Sequence, residues 1–236
     1  MKKLDSLSVF FPFWNEEGNI EKVVRSAIPV AEKVAQKWEI IMVDDGSSDQ
    51  TKEIAKRLIK ENSNLRLVSH SQNRGYGSAL KEGFANAKYD TIVFMDGDGQ
   101  FDFSEVDRFI EKIKETDIVI GYRKKRSDHP FRHTLMNLLK IWDFIFFSFY
   151  FRDIDCGFKM FKRRALEKIL PLKLEGAMIT TEILAKAKKA NLKILQAEVS
   201  HYPRKYGDQS GGNLRVIIRA IRESFSLWRD MNYGRK

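Results

Sequence analysis

The sequence predicts an α/β fold, a mostly parallel central sheet with helices on both faces in an α/β/α sandwich. Three observations carry this. Short β-rich apolar runs alternate with helical stretches through the first half of the chain. Alternation at that spacing implies right-handed crossovers between parallel strands. Several of these runs end in acidic or Gly-containing loops, at the sheet edge where open α/β folds bind ligands.

Leu7–Phe13 reads as the first strand, and Asn19–Lys37 as a helix. Val23, Val24, Ala27, Val30, Ala31 and Val34 share one side of that helix, and Pro29 is placed to bend it. Trp38–Val43 is the second strand. Asp49 caps a helix running to Lys60, with Glu53 near the position for reciprocal capping. Leu65–Ser69 is the third strand and Gly77–Ala87 the next helix. Thr91–Met95 is the fourth strand, Ser104–Lys114 a helix and Asp117–Ile120 the fifth strand. The second half is less regular. Arg123–Pro130 is a basic loop, and Phe131–Phe151 a long helix rich in Phe. Gly157–Phe161 reads as a strand, Arg163–Leu170 as a short helix closed by Pro171, and Thr181–Ala190 as a helix. Lys193–Val199 is a strand, Tyr202–Gly212 a loop, and Leu214–Met231 a final basic helix.

The 236 residues are 43% hydrophobic, which is ample for the core of a single domain spanning 1–236. Met1–Asp5 leads straight into a strand, so no secretory signal is expected. One cysteine, Cys156, excludes an internal disulfide framework and suits a reducing cytoplasm. Four scattered histidines give no zinc spacing. The net charge of +10 fits phosphorylated substrates or an anionic membrane surface. Nucleic acid ranks below both, because no nucleic-acid motif accompanies the charge. The aromatic run Ile141–Phe151 contains Asp143 and is too short to span a bilayer.

The most informative motif is Asp96-Gly97-Asp98, directly after the Thr91–Met95 strand. Two carboxylates there, with Gln100 close behind, can offer hard oxygen ligands to Mg2+ or Mn2+. Asp-Gly-Asp is also good turn chemistry. Pro12-Phe13-Trp14-Asn15-Glu16 ends the first strand, so Asn15 and Glu16 project at the ligand edge or cap the following helix. Asp44-Asp45-Gly46-Ser47 ends the second strand, where a carboxylate can accept from a base imide or a ribose hydroxyl. Asn73-Arg74-Gly75 ends the third. Arg74 can reach a phosphate, and the glycine allows close backbone approach. No Gly-x-Gly-x-x-Gly follows the first strand and no Walker A loop is present, which disfavours dinucleotide and NTPase functions.

Taken in order, Pro-x-x-Asn-Glu, Asp-Asp-Gly-Ser, Asn-x-Gly and Asp-x-Asp resemble the family 2 glycosyltransferases, which use the nucleotide-sugar-binding GT-A fold. Gly121-Tyr122-Arg123, Arg132, Asp155-Cys156-Gly157-Phe158-Lys159 and Arg204-Lys205-Tyr206-Gly207 look like the dolichol-phosphate mannosyltransferase branch. That similarity covers most of residues 7–212. The chain departs from the branch at Gln209, where a serine followed by lysine is usual. The carboxyl-terminal membrane spans of some members do not follow.

The resemblance implies a metal-dependent, inverting transfer of a hexose from a nucleotide-diphosphate sugar, GDP-mannose or a UDP-sugar, to a polyprenyl phosphate, dolichyl or undecaprenyl. It implies Asp96, Asp98 and Gln100 as ligands of Mg2+ or Mn2+. It implies a nucleotide-sugar pocket of Pro12, Phe13, Asn15, Glu16, Asp44, Asp45, Arg74, Gly75, Asp96 and Gly97, with Asp45 reading the base. Residues 1–122 would form the donor half and 123–236 the acceptor half with its amphipathic helices. A polyprenyl phosphate is already anionic and needs cations rather than a general base. Asp98, Arg123, Arg132, Asp155 and Arg204 form the implied catalytic set. The three arginines would hold the acceptor phosphate, and Asp155 would orient the sugar or an arginine. A family member acting on a glycan hydroxyl, in cell-envelope polysaccharide synthesis, would instead need a base, and Glu182 is the best candidate. A lipid acceptor also implies peripheral contact with the cytoplasmic face of a membrane, a membrane-protein partner, and no nucleic acid. The aromatic residues of 131–151 and of the last helix, interleaved with Arg215, Arg219, Arg222 and Arg229, suit that interface.

Overall fold

The structure, a computed structural model, describes residues 3–124, 146, 151–207 and 214–233, without the side chains of 214–218. Its centre is a seven-stranded sheet of order β3-β2-β1-β4-β6-β5-β7. The strands are β1 (Leu4–Phe13), β2 (Ala35–Asp44), β3 (Leu65–Ser69), β4 (Thr91–Met95), β5 (Ile118–Arg123), β6 (Phe158–Lys162) and β7 (Ile194–Val199). β1 runs parallel to β2 and β4, β2 to β3, and β5 to β7. β6 alone runs against its neighbours, with Val93 opposite Met160 and Val119 also opposite Met160. The expected strand at 157–161 is therefore present as the one antiparallel strand in the sheet.

The central strands are apolar on both faces, as burial under helices on both sides requires. Leu7, Val9, Phe11 and Phe13 of β1 join one core. That core is covered by α1 (Ile20–Val34), α2 (Thr51–Glu61) and α4 (Val106–Ile113). Phe10 points to the opposite core with Ile41, Val43, Ile92 and Phe94. There α3 (Tyr76–Asn86), α5 (Arg163–Ile169) and α6 (Ile179–Lys189) complete the layer. The last helix, α7 (Leu214–Tyr233), adds Leu227 to this second core.

Two local expectations are corrected. The first helix ends at Val34, and residues 35–37 are strand, because Ala35 and Lys37 pair with Leu4 and Ser6 of an extended β1. The ladder takes the backbone hydrogen bonds that a longer helix would have used. The reciprocal cap at α2 does not form. Asp49 accepts from the Thr51 N–H at 3.0 Å, while Glu53 pairs with Lys56 at 3.6 Å. The Phe-rich helix over 131–151 lies outside the described residues except for Phe146 and Phe151. Phe146 meets Phe225 and Trp228 of α7 edge-on, with ring centroids 6.0 and 5.9 Å apart.

Candidate functional site

Strand order determines where the site lies. From β1 the chain builds outward through β2 and β3, then returns to add β4 on the other side of β1. A crevice opens beyond the carboxyl ends of β1 and β4, the switch point at which such folds bind ligands. The Asp96-Gly97-Asp98 turn sits in it. Gly97 is required there, since a Cβ would lie 2.3 Å from the Phe13 ring and 2.8 Å from the Pro12 carbonyl oxygen. Without a side chain, the turn crosses directly over the end of β1.

Asp96 is held from three directions. Its N–H donates to Gly157 O at 2.8 Å, and the Tyr76 hydroxyl donates to its Oδ1 at 2.7 Å. A Cβ at Gly157 would lie 1.8 Å from its Oδ2, so only glycine fits opposite. Burial, then the neighbouring Asp98 charge, pushes the Asp96 carboxyl up to about 7. The Tyr76 hydrogen bond and the charges of Lys159 and Arg123 oppose that rise. Burial likewise raises Asp98, whose Oδ1 accepts from the Gln100 N–H at 3.0 Å. Two crowded carboxylates with raised pKa values form a site short of positive charge.

Arg204 supplies some of that charge. Its guanidinium donates to Glu16 Oε1 and lies 3.5 Å from Asp98 Oδ2, and its Nε donates to Tyr206 O at 2.7 Å. Glu16 also accepts from Asn19 Nδ2 at 2.6 Å and is raised chiefly by burial. Sequence reasoning put Arg204 in the acceptor half. The fold brings its cationic head onto the donor-side carboxylates, as a stand-in for a cation. The donor set of Asp96 and Asp98 therefore fits a hard divalent ion, which commonly takes one or two carboxylates plus substrate phosphates. Among the described residues no cluster of three or more His, Cys, Asp or Glu side chains forms a complete metal cage. Gln100, expected as a third ligand, is buried beside the acidic turn, and its amide nitrogen is tied to the 200–207 loop. Its Nε2 donates to Tyr202 O at 2.9 Å, and its backbone carbonyl accepts from Tyr202 N–H at 2.9 Å. It ties the 200–207 loop to the acidic turn.

The donor-side loops are knitted together around Asn15, Asp44 and Asp45. Asn15, at φ 53°, accepts from Ser48 N–H at 2.9 Å through Oδ1, and its own N–H donates to Ser47 Oγ. Asp44 accepts from Ser47 N–H at 3.0 Å and from the Ser69 hydroxyl at 2.7 Å. Asp45, expected to read the base, is the hub of the 70–75 loop. Its two oxygens meet His70 Nδ1 at 2.6 Å, Arg74 N–H at 3.0 Å, Gly75 N–H at 2.8 Å and Asn73 Nδ2 at 3.1 Å. Four partners occupy the carboxylate's lone pairs. Pro12 and Phe13 form the floor beneath Gly97, and the Arg74 side chain is exposed.

In the second half, Arg123 is buried in a bidentate pair with Asp153, at 2.6 and 2.8 Å. Beneath that pair the fully buried Lys159 donates to Ile154 O at 3.0 Å and to Cys156 O. The loop carrying the exposed Asp155 is thus anchored at both ends. Cys156 is buried, and desolvation pushes its thiol up to about 12, which fits a packing role. Arg132 lies outside the described residues. Glu182 is corrected: it is fully buried, accepting from the N–H groups of Lys173 and Leu174 and pairing with Lys186 at 2.6 Å. A carboxylate so engaged anchors the 170–176 loop and is not poised as a base. Sequence reasoning gave no role to Tyr76, His70, Asp153 or Lys159. Lys159 stands inside a quoted motif and the others within a few residues of one, and only the fold shows what each touches.

A dolichyl-phosphate beta-glucosyltransferase of Saccharomyces cerevisiae is 34% identical over 249 residues, covering 94% of this chain and 72% of the yeast protein. One from Dictyostelium discoideum is 34% identical and matches 82% of this chain and 65% of its own length. An undecaprenyl-phosphate 4-deoxy-4-formamido-L-arabinose transferase of Proteus mirabilis is 27% identical over 92% of this chain and 66% of its own. The chain thus spans part of each relative. In fold it is similar to glucosyl-3-phosphoglycerate synthase of Mycobacterium tuberculosis, solved with Mn2+, UDP and phosphoglyceric acid. The TM-score is 0.71 at 20% identity, over 98% of this chain and 80% of that one. The sheet is therefore the expected GT-A architecture. Residues 8–170, which carry the acidic turn and every motif from β1 to α5, match the family model described as Glycosyl transferase family 2, and the chain belongs to that family of glycosyltransferases.

Proposed function

We propose that this glycosyltransferase moves glucose from UDP-glucose to a polyprenyl phosphate, with Mg2+ or Mn2+ held by Asp96 and Asp98. The observation that carries the reading is the carboxylate pair at the β1/β4 switch point, with Arg204 on Asp98. The names of the curated relatives support a polyprenyl-phosphate acceptor and favour glucose over mannose. The UDP bound in the fold neighbour supports the nucleotide.

In the reaction an acceptor phosphate oxygen attacks the anomeric carbon, and the bond from that carbon to the β-phosphate oxygen breaks with inversion. UDP carries away the electron pair. The cation, when bound, neutralises charge on the departing diphosphate. The protein's own residues do the rest. The loops knitted by Asn15, Asp44 and Asp45 cradle the nucleoside. Arg123 is locked by Asp153, so its charge is fixed beside the acidic turn without cost at the moment of reaction. Arg204, with Arg132, would meet the acceptor phosphate. No general base is needed, which agrees with the engaged state of Glu182.

Contact with a membrane follows from a lipid acceptor. Among the described residues no helix is long and apolar enough to cross a bilayer. On α7, Ile221 and Phe225 are exposed beside Arg222 and Arg229, a pairing suited to an anionic interface on the cytoplasmic face. The test is a donor-by-acceptor screen of UDP-glucose and GDP-mannose against dolichyl and undecaprenyl phosphates, with Mg2+ or Mn2+. A glucosyl polyprenyl phosphate formed from UDP-glucose is expected. Transfer only to a water-soluble hydroxyl acceptor would overturn the reading.

A further inference from the structure

We propose that Tyr76 is a positioning residue for Asp96, transmitting the order of the donor-side loop to the cation site. The inference rests on the cation reading above. Its basis is a chain of contacts across three strand ends. Asp45 gathers the N–H groups of Arg74 and Gly75, which fixes the approach to α3. One residue after Tyr76, the Gly77 N–H donates to Glu175 O at 2.8 Å, and a Cβ at Gly77 would lie 2.7 Å from the Glu175 carbonyl carbon. The first turn of α3 is therefore held from both sides, and the direction of the Tyr76 phenol is set by backbone.

That phenol ends 2.7 Å from Asp96 Oδ1. Gly157 closes the opposite side of the same carboxylate. Between them they allow one plane for the carboxyl group. Asp98 has a different support, the Gln100 N–H of its own turn. Tyr76 is thus the one side-chain donor on Asp96 among the described hydrogen bonds, and it comes from an element outside the acidic turn. A small divalent ion demands nearly ideal octahedral geometry, so a carboxylate free to rotate binds it less well. Partners that orient metal-binding groups typically contribute ten- to a hundredfold to affinity.

The test is Mn2+ titration followed by electron paramagnetic resonance on UDP-saturated protein. Wild type, Tyr76→Phe, Asp96→Asn and the double variant are compared. Tyr76→Phe keeps the ring in its core and removes only the hydroxyl. It should weaken Mn2+ roughly tenfold while metal-free UDP affinity stays at the wild-type value and the protein remains folded, its melting temperature lowered only by the loss of one hydrogen bond. Asp96→Asn should weaken Mn2+ further, and the double variant should bind no worse than Asp96→Asn, because the phenol acts only through that carboxylate. Mn2+ affinity of Tyr76→Phe within twofold of wild type would overturn the inference. So would losses that multiply in the double variant, or an equal loss in metal-free UDP binding. A wild-type protein that takes up no Mn2+ with UDP present would overturn the cation reading and this inference with it.

Discussion

Arg204 and Asp98 lie 106 residues apart in sequence, yet the guanidinium sits 3.5 Å from the carboxylate while it also donates to Glu16. The arrangement compensates the buried Glu16 and the half-buried Asp98 with one arginine. A divalent ion drawn to the same carboxylates has to compete with it. Arg204→Met should therefore tighten binding of Mn2+ alone, without nucleotide. It should also lower stability of the metal-free protein by about 2 kcal/mol, since charged hydrogen bonds are lost. Calorimetric titration and thermal melting measure the two effects. Unchanged Mn2+ affinity would show that the guanidinium does not compete for the site.

Asp98→Asn removes one of the two proposed cation ligands while preserving shape, and the Gln100 N–H retains an oxygen to bond. Transfer should fall at least a hundredfold with the melting temperature nearly unchanged. Steady-state rates in the presence and absence of EDTA provide the check. Full activity of this variant in EDTA would remove the metal from the mechanism.

Asp96 also makes stability depend on pH. Its folded carboxyl is raised to about 7, chiefly by burial, above the ordinary 3.8. Between those values the folded state binds more protons than the unfolded one. Stability of metal-free protein therefore falls as pH rises from about 4 to about 7, by at most about 1.4 kcal/mol per pH unit from this group. Melting scans of wild type and Asp96→Asn in EDTA should differ in that slope. Saturating Mn2+ should reverse the trend, because the ion binds the deprotonated form.

Glu182→Ala should act on stability and not on chemistry. It leaves the N–H groups of Lys173 and Leu174 and the Lys186 ammonium without their buried acceptor. A loss of about 3 kcal/mol is expected. The kcat per folded molecule should stay within about twofold of wild type. A collapse of kcat in protein that melts normally would restore Glu182 as a base.

Binding to anionic vesicles should be reversible and sensitive to salt. The chain carries a net charge of +10, and α7 exposes Ile221 and Phe225 between arginines. Each basic residue near an anionic surface contributes about 1 kcal/mol at low ionic strength. Flotation with phosphatidylserine vesicles should be strong in dilute buffer and weaken in high salt. Arg222→Glu with Arg229→Glu should lower it further. Protein that never floats would leave the lipid acceptor to be reached by some other surface.

The alternation of apolar runs with helical stretches was enough for the fold class, because strands buried on both faces must be continuously apolar. The residues of the acidic turn and of the first three strand ends were legible for a related reason. A ligand edge at carboxyl ends places polar chemistry immediately after each apolar run, so the motifs stand out locally. What each of those residues does was decided only in three dimensions. Asp45 has the residue type of a base reader, and only the fold shows that its oxygens are the hub of the 70–75 loop. Gln100 has the spacing of a metal ligand, and only the fold shows that its amide nitrogen also ties down the loop at Tyr202. Glu182 has the charge of a base, but burial makes it an anchor. Tyr76 and Asp153 gain their roles from partners 20 and 30 residues away. The antiparallel course of β6 was equally hidden, since strand direction leaves no mark on an apolar run. Sequence determines which chemical groups reach the sheet edge, while hydrogen-bond saturation at that edge depends on partners that only chain reversal brings within 3 Å.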